Sequence, residues 1–404
     1  FMEIKKYFFY SFVLIFFLFS CQNNTILKEI ENDVLYLSDD KLEGRETGTI
    51  GEDLAADYIK KRFDKIGLQT KVDTFEFNDN VKVNFICDIP NLYPTKYSNS
   101  SEALNLSVVD VNFGIHAPSE NYSDYKNIEV KDKAVLINTS SPDGIHPHSK
   151  YVKYHSIVSR IEEAKKRGVK CIIFFNQDRN AESLAKKFKK LKNTGLPVLF
   201  LNDSKNKVLN QKITFSLQIK EQKLKGKNII ANINNNAIET VIIGAHYDHI
   251  GWGKEGSRYI GEPAIHNGAD DNASGVAALF QLAKILKKQK EGYNYTLIAF
   301  SGEEKGLLGS NAYLKEQNLE KASINCMINL DMIGRLDSAI YVGGVGSSLL
   351  FSHLLDTLEN ETDLIISKSM GGCGRSDHMP FYNNNIPVLF FFSGTHQHYH
   401  TPDD

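Results

Sequence analysis

Apolar runs of strand length alternate with stretches of helical periodicity from Asn228 to the end of the chain. The runs NIIANIN, ETVIIGAHYD, YTLIAFSGEE, SINCMINLDM, AIYVGG, DLIISK and IPVLFFF predict strands. A helix is predicted from Ala273 to Lys287, with an apolar stripe formed by Val276, Leu279, Phe280, Ala283 and Leu286. This alternation predicts an α/β fold with a mixed, largely parallel central sheet that has helices on both faces.

Further helices are predicted at both ends of this pattern. The later ones lie near Leu307–Glu316, Ser347–Leu358 and Asp377–Asn383. Residues Glu29 to Leu68 also predict helices, since apolar residues recur at helical spacing in GEDLAADYIKKRFDKIGL and Gly67 is a typical C-terminal stop. The alternating VDTFEFND that follows predicts a strand.

The middle of the chain, residues 89–222, has a different pattern. Short β runs (AVLIN, CIIFF, LPVLFL and ITFSLQI) surround one predicted helix that begins after Ser156 and ends at Gly168. The segment GIHPHSKYVKYH contains three histidines without a carboxylate or cysteine at ligand spacing, so a surface loop is favoured over a metal site. We expect a smaller β-rich α/β domain without catalytic residues.

Chain length and composition limit the classes of function. A chain of 404 residues is too long for one ordinary core and predicts two domains. Lys and Arg together number 47 against 49 for Asp and Glu, and this lack of basic excess argues against a nucleic-acid partner. None of the cysteines forms a CxxC pair, which argues against a zinc knuckle or a disulfide scaffold.

The amino-terminal segment predicts export from the cytoplasm. Lys5 and Lys6 precede a nearly unbroken apolar run from Tyr7 to Phe19, which is shorter than a membrane span and suits a signal peptide. The run ends in LFSC and polar residues, which resembles a bacterial lipobox with Cys21 as the lipid-modified first residue of the mature protein. We therefore expect a lipid-anchored protein of the bacterial cell envelope, with an uncleaved anchor helix as the alternative.

Polar residues suited to metal binding follow several of the predicted strands. They are His246, Asp248, Asp271, Glu303, Glu304, Asp331 and His400. The carboxyl ends of strands in open α/β sheets meet at the edge where ligands bind. Imidazoles and carboxylates that converge there suit a pair of Zn²⁺ ions sharing a carboxylate, and the sequence therefore predicts a two-metal hydrolase.

Two of these motifs also have a simpler interpretation. His246 and Asp248 are two apart and share a face if the strand continues, but a buried His–Asp pair without metal would look the same. Asp271 in GADDNASG could be a helix N-cap. The adjacent Glu303 and Glu304 are the most specific signal, because neighbouring side chains on a strand end point apart. One carboxylate can bind metal while the other acts as general base.

The motifs AHYDH, GADDNASG, SGEEKGLLGS, NLDMIG, SDHMPF and YHTPDD, in this order, resemble the co-catalytic zinc aminopeptidases of metallopeptidase family M28. The middle segment, with IEVKDKAVLIN followed by RIEEAKKRGVKCIIFFN, is similar to the protease-associated domain inserted in many members. The amino-terminal pattern predicts a lipoprotein signal peptide at 1–21, and the family resemblance implies a peptidase domain formed by 25–88 and 223–404. The inserted domain would span 89–222.

The resemblance also implies a role for each site residue. Asp271 would bridge two zinc ions, with His246 and Asp331 completing one site and Glu304 and His400 the other. Glu303 would be the general base that deprotonates the attacking water, and Asp248 would orient His246. His396 and His398 are nearby alternatives to His400, which HTPDD favours. Family members normally continue into a terminal helix beyond this motif.

The implied substrates are peptides with a free amino terminus. Two other functions are compatible with parts of the pattern. A glutaminyl cyclase-like enzyme would use one zinc on the same scaffold, although the Asn in GADDNASG and the inserted domain favour an aminopeptidase. The third function is a catalytically inactive receptor or binding module. The presence of every ligand position together with Glu303 argues against it, because a protein without activity would not require that complete set.

Overall fold

Helices and strands alternate along the chain in the computed structural model, which describes residues 23–176, 191–316, 323–371 and 374–404. The predicted signal segment and Cys21 lie outside the described residues. The α-helices are α1 (Asn23–Leu37), α2 (Ile50–Ile66), α3 (Ile157–Lys165), α4 (Gly275–Leu286), α5 (Leu308–Glu316), α6 (Phe351–Glu361) and α7 (His378–Asn383).

The strands are named in chain order. They are β1 (Gln69–Cys87), β2 (Leu92–Pro94), β3 (Ser101–Asp110), β4 (His116–Ala117), β5 (Tyr122–Ser123), β6 (Ala134–Asn138), β7 (Cys171–Phe175), β8 (Val198–Leu201), β9 (Lys212–Ile233), β10 (Thr240–His246), β11 (Asn294–Phe300), β12 (Ile324–Leu330), β13 (Ile340–Gly343), β14 (Ile366–Lys368) and β15 (Val388–Phe392).

The chain divides into two compact units. The first consists of Phe1–Phe77 and Lys225–Asp404, and the second of Asn78–Leu224. Strands β1 and β9 pair with each other, and each has residues in both units. The similarity of the second unit to a protease-associated domain stays a prediction.

The sheet of the first unit is mixed and largely parallel, as the sequence predicts. Its strand order is β14-β13-β15-β12-β10-β11-β9. Strands β15, β12, β10 and β11 are parallel neighbours, whereas β9 and β13 pair antiparallel with β11 and β15. From β10 the chain crosses to β11 on one side and then returns to β12 on the other side. The carboxyl end of β10 is therefore a topological switch point, where ligands bind in open α/β sheets.

Helices cover both faces of this sheet because its strands carry apolar side chains in both directions. Ile243 of β10 packs in a core with Ile59 of α2 and Phe280 of α4. Ile242, its neighbour in sequence, packs on the opposite face with Phe381 of α7. Two apolar faces explain why these strands read as continuous hydrophobic runs and not as alternating ones.

The predicted end of helix α2 at Gly67 is confirmed. Helix α2 begins after Thr49, whose side chain accepts a hydrogen bond from the Glu52 N–H, and ends at Gly67 in the left-handed conformation. Helix α4 begins at Gly275, two residues later than predicted, because the turn Ala269–Ser274 before it contains Asp271 and Asn272 in non-helical conformations. This turn carries the GADDNASG motif.

The second unit has its own sheet and core. The strand order is β9-β3-β6-β7-β8-β2, with β3, β6, β7 and β8 parallel to one another. Helix α3 packs Ile161 and Ala164 against one face, where Ile137 and Phe174 are buried. No helix among the described residues is long and apolar enough to cross a membrane.

Candidate metal centre

The predicted site residues meet at the carboxyl edge of the first unit's sheet. The register pairs His246 with Phe300, the last residue of β11, and Leu330 of β12 with Phe391 of β15. Residues that directly follow these strands are therefore neighbours in space. Glu303 and Glu304 follow β11, Asp331 follows β12, and His400 follows β15 after a short loop.

His246 is the last residue of β10, and its imidazole is buried. Its Nδ1 donates to the backbone carbonyl of Asp248 at 3.1 Å, which leaves Nε2 free to bind an ion. The Asp248 carboxylate lies farther away, with Oδ1 3.8 Å from that Nδ1. The nearest group that orients His246 is thus the carbonyl of Asp248 and not its side chain.

The Asp248 carboxylate instead binds the backbone of the residues that follow β11. It accepts hydrogen bonds from the backbone N–H groups of Glu303 (3.2 Å) and Glu304 (3.4 Å) and from the Thr47 hydroxyl (2.9 Å). Burial raises its pKa, and the charge of Glu304 adds to this, while His246 and these hydrogen bonds lower it. Asp248 therefore fixes the backbone that carries both glutamates.

Asp271 is held in place by the turn before α4 and by residues distant in sequence. Gly268 adopts a φ of 55°, where a Cβ atom would lie 2.1 Å from the Asp271 carbonyl oxygen, so a side chain does not fit. The Asp404 carboxylate accepts the N–H of Asp271 at 3.2 Å. Asn272 donates to the Leu330 carbonyl and accepts from the Met332 N–H, which joins this turn to the end of β12.

The two adjacent glutamates have different surroundings. Glu304 Oε1 lies 2.9 Å from His249 Nδ1 and 3.2 Å from His400 Nε2. Burial raises the pKa of Glu304, but the contacts with these two imidazoles outweigh it and the pKa is lowered. The Glu303 carboxylate has no hydrogen bond or ion pair within residues 23–176, 191–316, 323–371 and 374–404. Burial and the charges of Glu304 and Asp331 raise its pKa well above the ordinary value.

Two groups of potential metal ligands share Asp271. In the first group, His246 Nε2 lies 3.2 Å from Asp271 Oδ1 and 3.4 Å from Asp331 Oδ1. In the second, His400 Nε2 lies 3.2 Å from both Asp271 Oδ2 and Glu304 Oε1. The two oxygens of one carboxylate thus face different groups, which is the arrangement of a bridging ligand.

His400 is oriented for this position. Its Nδ1 donates to the Gly256 carbonyl at 2.9 Å, and its ring stacks on Tyr399. The backbone of His400 has a φ of 59°, a conformation that non-glycine residues adopt at a cost and that is common at functional sites. His396 and His398, the alternatives from sequence, belong to neither ligand group. His396 instead lies 3.3 Å from Asp270 and 3.4 Å from Asp404.

The ligand groups also contain a residue that the sequence prediction did not assign. His249, the last residue of AHYDH, is buried and belongs to the second group. It lies beyond the end of β10, so the two-residue strand periodicity used for His246 and Asp248 gives no information about its direction. The histidines of GIHPHSKYVKYH are in neither group.

Arg45 connects the loops of the site. It follows a left-handed Gly44, and its fully buried guanidinium donates to four backbone carbonyls, those of Leu37, Tyr247, Asn267 and Gly268. Burial lowers its pKa to about 10, so the group remains charged at neutral pH, and the nearby carboxylates favour that charge. Arg45 therefore holds the segment after β10 against the loop that leads to Asp271.

Comparisons with known proteins agree with this architecture. The Bacillus subtilis protein named aminopeptidase YwaD is 26% identical over 382 residues, which cover 89% of this chain and 76% of that protein. A probable leucine aminopeptidase of Trichophyton verrucosum is 29% identical over 204 residues, covering 45% of this chain and half of that protein. The solved structure of a zinc aminopeptidase from B. subtilis covers 93% of this chain and 88% of its own, at a TM-score of 0.53 and 24% identity.

The fold is thus one that zinc aminopeptidases of known structure also have. Residues 228–404 match the model of peptidase family M28.

Arg45 is expected to be required for stability and metal binding. Arg45→Met removes a buried charge and leaves four carbonyls without their donor, and it should lower the free energy of unfolding by about 3–5 kcal/mol. Arg45→Lys keeps the charge but not the planar set of donors, so its loss should be smaller. Urea denaturation and zinc titration measure both effects. Equal stability of Arg45→Met and the wild type would contradict this role.

Proposed function

We propose that the protein is an aminopeptidase that uses two zinc ions to remove the amino-terminal residue of peptides. The observation that carries this proposal is the position of Asp271, whose Oδ1 and Oδ2 face separate groups of imidazole and carboxylate donors. The family M28 match and the aminopeptidase named above support the peptidase class.

The donors fit zinc in chemistry and in spacing. Imidazole nitrogen and carboxylate oxygen are ordinary zinc ligands, and a tetrahedron with zinc bonds of about 2.0–2.1 Å has edges of about 3.3–3.4 Å. The distances from His246 Nε2 and His400 Nε2 to their carboxylate neighbours are 3.2–3.4 Å. The buried His400 Nε2 has no hydrogen-bond partner within the described ranges, as expected of a nitrogen that binds an ion.

Bound zinc would supply a Lewis acid that makes a water molecule more acidic and polarises the scissile carbonyl group. The first ion would be held by His246, Asp271 and Asp331, and the second by Asp271, Glu304 and His400. Asp271 would contribute one carboxylate oxygen to each position.

Glu303 is the general base of this proposal. Its carboxylate takes a proton from the attacking water as the carbon–oxygen bond forms. It then gives that proton to the amine that leaves as the carbon–nitrogen bond breaks. A base must not itself be a ligand, and Glu303 differs from Glu304 in having no imidazole contact among the described residues. The hydrogen bonds from the Glu303 and Glu304 N–H groups to Asp248 hold the two side chains in their separate positions.

The protein is further proposed to work outside the cytoplasm, held to the bacterial envelope by a lipid on Cys21. The basis is the charged start, the apolar run and the LFSC sequence of the first residues. The segment 89–222 is proposed to be a protease-associated domain, on its sequence resemblance alone. A peptidase in the envelope would act on exogenous or periplasmic peptides.

Metal content and substrate choice test the proposed function together. The purified protein should contain two zinc ions per chain by elemental analysis and should release the first residue of aminoacyl chromogenic substrates. Chelation should abolish the activity, and added zinc should restore it. A content of one zinc with cyclisation of peptides that begin with Gln would instead establish a glutaminyl cyclase. Tight zinc binding with neither activity would favour a binding module.

Substitution of the two glutamates should give different defects. Glu303→Gln keeps the size of the side chain but cannot accept the proton, so both ions should remain and kcat should fall about 10²–10⁴-fold with little change in KM. Glu304→Gln removes a charged ligand, so one zinc should bind more weakly. Glu262→Gln, at an exposed position of the same unit, is the matched control. If Glu303→Gln loses zinc and Glu304→Gln keeps both ions, the two roles are exchanged.

The proposed lipid anchor is tested by fractionation of bacterial cells that express the full chain. Cys21→Ala removes the thiol that would carry the lipid, and the protein should move from the membrane fraction to the soluble fraction. Cys87→Ala, which changes a half-buried cysteine of the folded region, should leave the distribution as in the wild type. A Cys21→Ala protein that remains in the membrane fraction would support an uncleaved anchor helix.

A further inference from the structure

The position of His249 is closely determined by the loops around it. Its backbone N–H donates to the Arg45 carbonyl at 3.4 Å, and its side chain is fully buried. Its ring lies against Gly268, where a Cβ atom would come within 2.7 Å of the imidazole. The imidazole therefore occupies space that only a glycine at position 268 leaves open, and it points to the second ligand group.

The donor atom of His249 completes a four-membered set. His249 Nδ1 lies 2.9 Å from Glu304 Oε1 and 3.9 Å from Asp271 Oδ2, and all four donor atoms of the group lie within 4.8 Å of one another. These two distances lie on either side of the edge of about 3.3–3.4 Å in a zinc tetrahedron. The first group offers only His246, Asp271 and Asp331.

We propose that His249 is a fourth protein ligand of the second metal position, so that the two positions are chemically unequal. This inference rests on the proposed two-zinc function. Zinc held by four protein ligands is typical of closed, structural sites, whereas three ligands leave a position for water or substrate. The second position is therefore the tight one that is filled first. The first position, with three ligands, is weaker and exchanges its ion more readily.

A different role for His249 would be to donate a hydrogen bond to Glu304 without binding metal. The 2.9 Å separation alone is compatible with either role. The two roles differ in which side chains can replace the imidazole. An amide can donate to Glu304 but is a poor zinc ligand, whereas a thiolate binds zinc and cobalt strongly and cannot donate.

The test is stepwise zinc titration of the metal-free full chain against a competing chelator. The wild type should bind its first equivalent at least about tenfold more tightly than its second. His249→Ser and His249→Gln should both weaken the binding of the first, tightly bound zinc equivalent by about 100-fold or more. Loss of a residue that only supports a ligand usually costs less, about 10–100-fold. His266→Ser is the matched control, because His266 is a buried histidine of the same loop that belongs to neither group. It should retain both affinities.

Cobalt spectroscopy gives a second readout that does not depend on activity. In His249→Cys loaded with one equivalent of Co²⁺, a direct ligand should produce a sulfur-to-cobalt charge-transfer band that the wild type and His249→Ser lack. Wild-type zinc affinity in His249→Gln, or no such band in His249→Cys, would overturn the proposal while leaving two-zinc catalysis intact. A wild-type protein that binds no zinc would overturn both.

Discussion

Buried negative charge is the constraint on which the site depends. Asp248, Asp271, Glu304 and Asp331 lie together at one edge of the sheet, and the free energy of burying unpaired carboxylates is high. Imidazoles offset part of this charge, and their contacts lower the pKa of Asp271 well below its ordinary value although burial raises it. The remaining negative charge is consistent with the buried guanidinium of Arg45 nearby and with the metal binding proposed above.

Much of the fold and most of the site could be predicted because the relevant signals are local. The strands are apolar on both faces and therefore appear as continuous apolar runs, and Asp248, Glu303, Glu304 and Asp331 lie within a few residues of the end of such a run. Parallel pairing then brings Asp331 and Glu304 to one edge without any further information. The residue after a strand end is the most predictable kind of functional residue.

Arg45 and His249 could not be predicted in the same way. Arg45 stands in a polar stretch, DDKLEGRETG, which gives no indication that its guanidinium is buried. Its acceptors are backbone carbonyls, which every residue has, so the sequence does not show which residues accept its hydrogen bonds. The contact of the Asp248 carboxylate with two backbone N–H groups is hidden for the same reason, whereas a carboxylate two residues from a histidine naturally suggests a side-chain pair.

The hydrogen bonds of Arg45 also have a consequence for the order of events during synthesis. Its acceptors on Tyr247 and Gly268 lie 202 and 223 residues farther along the chain. The first helices are therefore synthesised long before the segments that contain Tyr247 and Gly268. The second unit lies between them in the chain and is synthesised first. Contacts of such high sequence separation form slowly. Until those segments are available, the apolar faces of the first helices stay uncovered, and such uncovered surface is where misfolding begins.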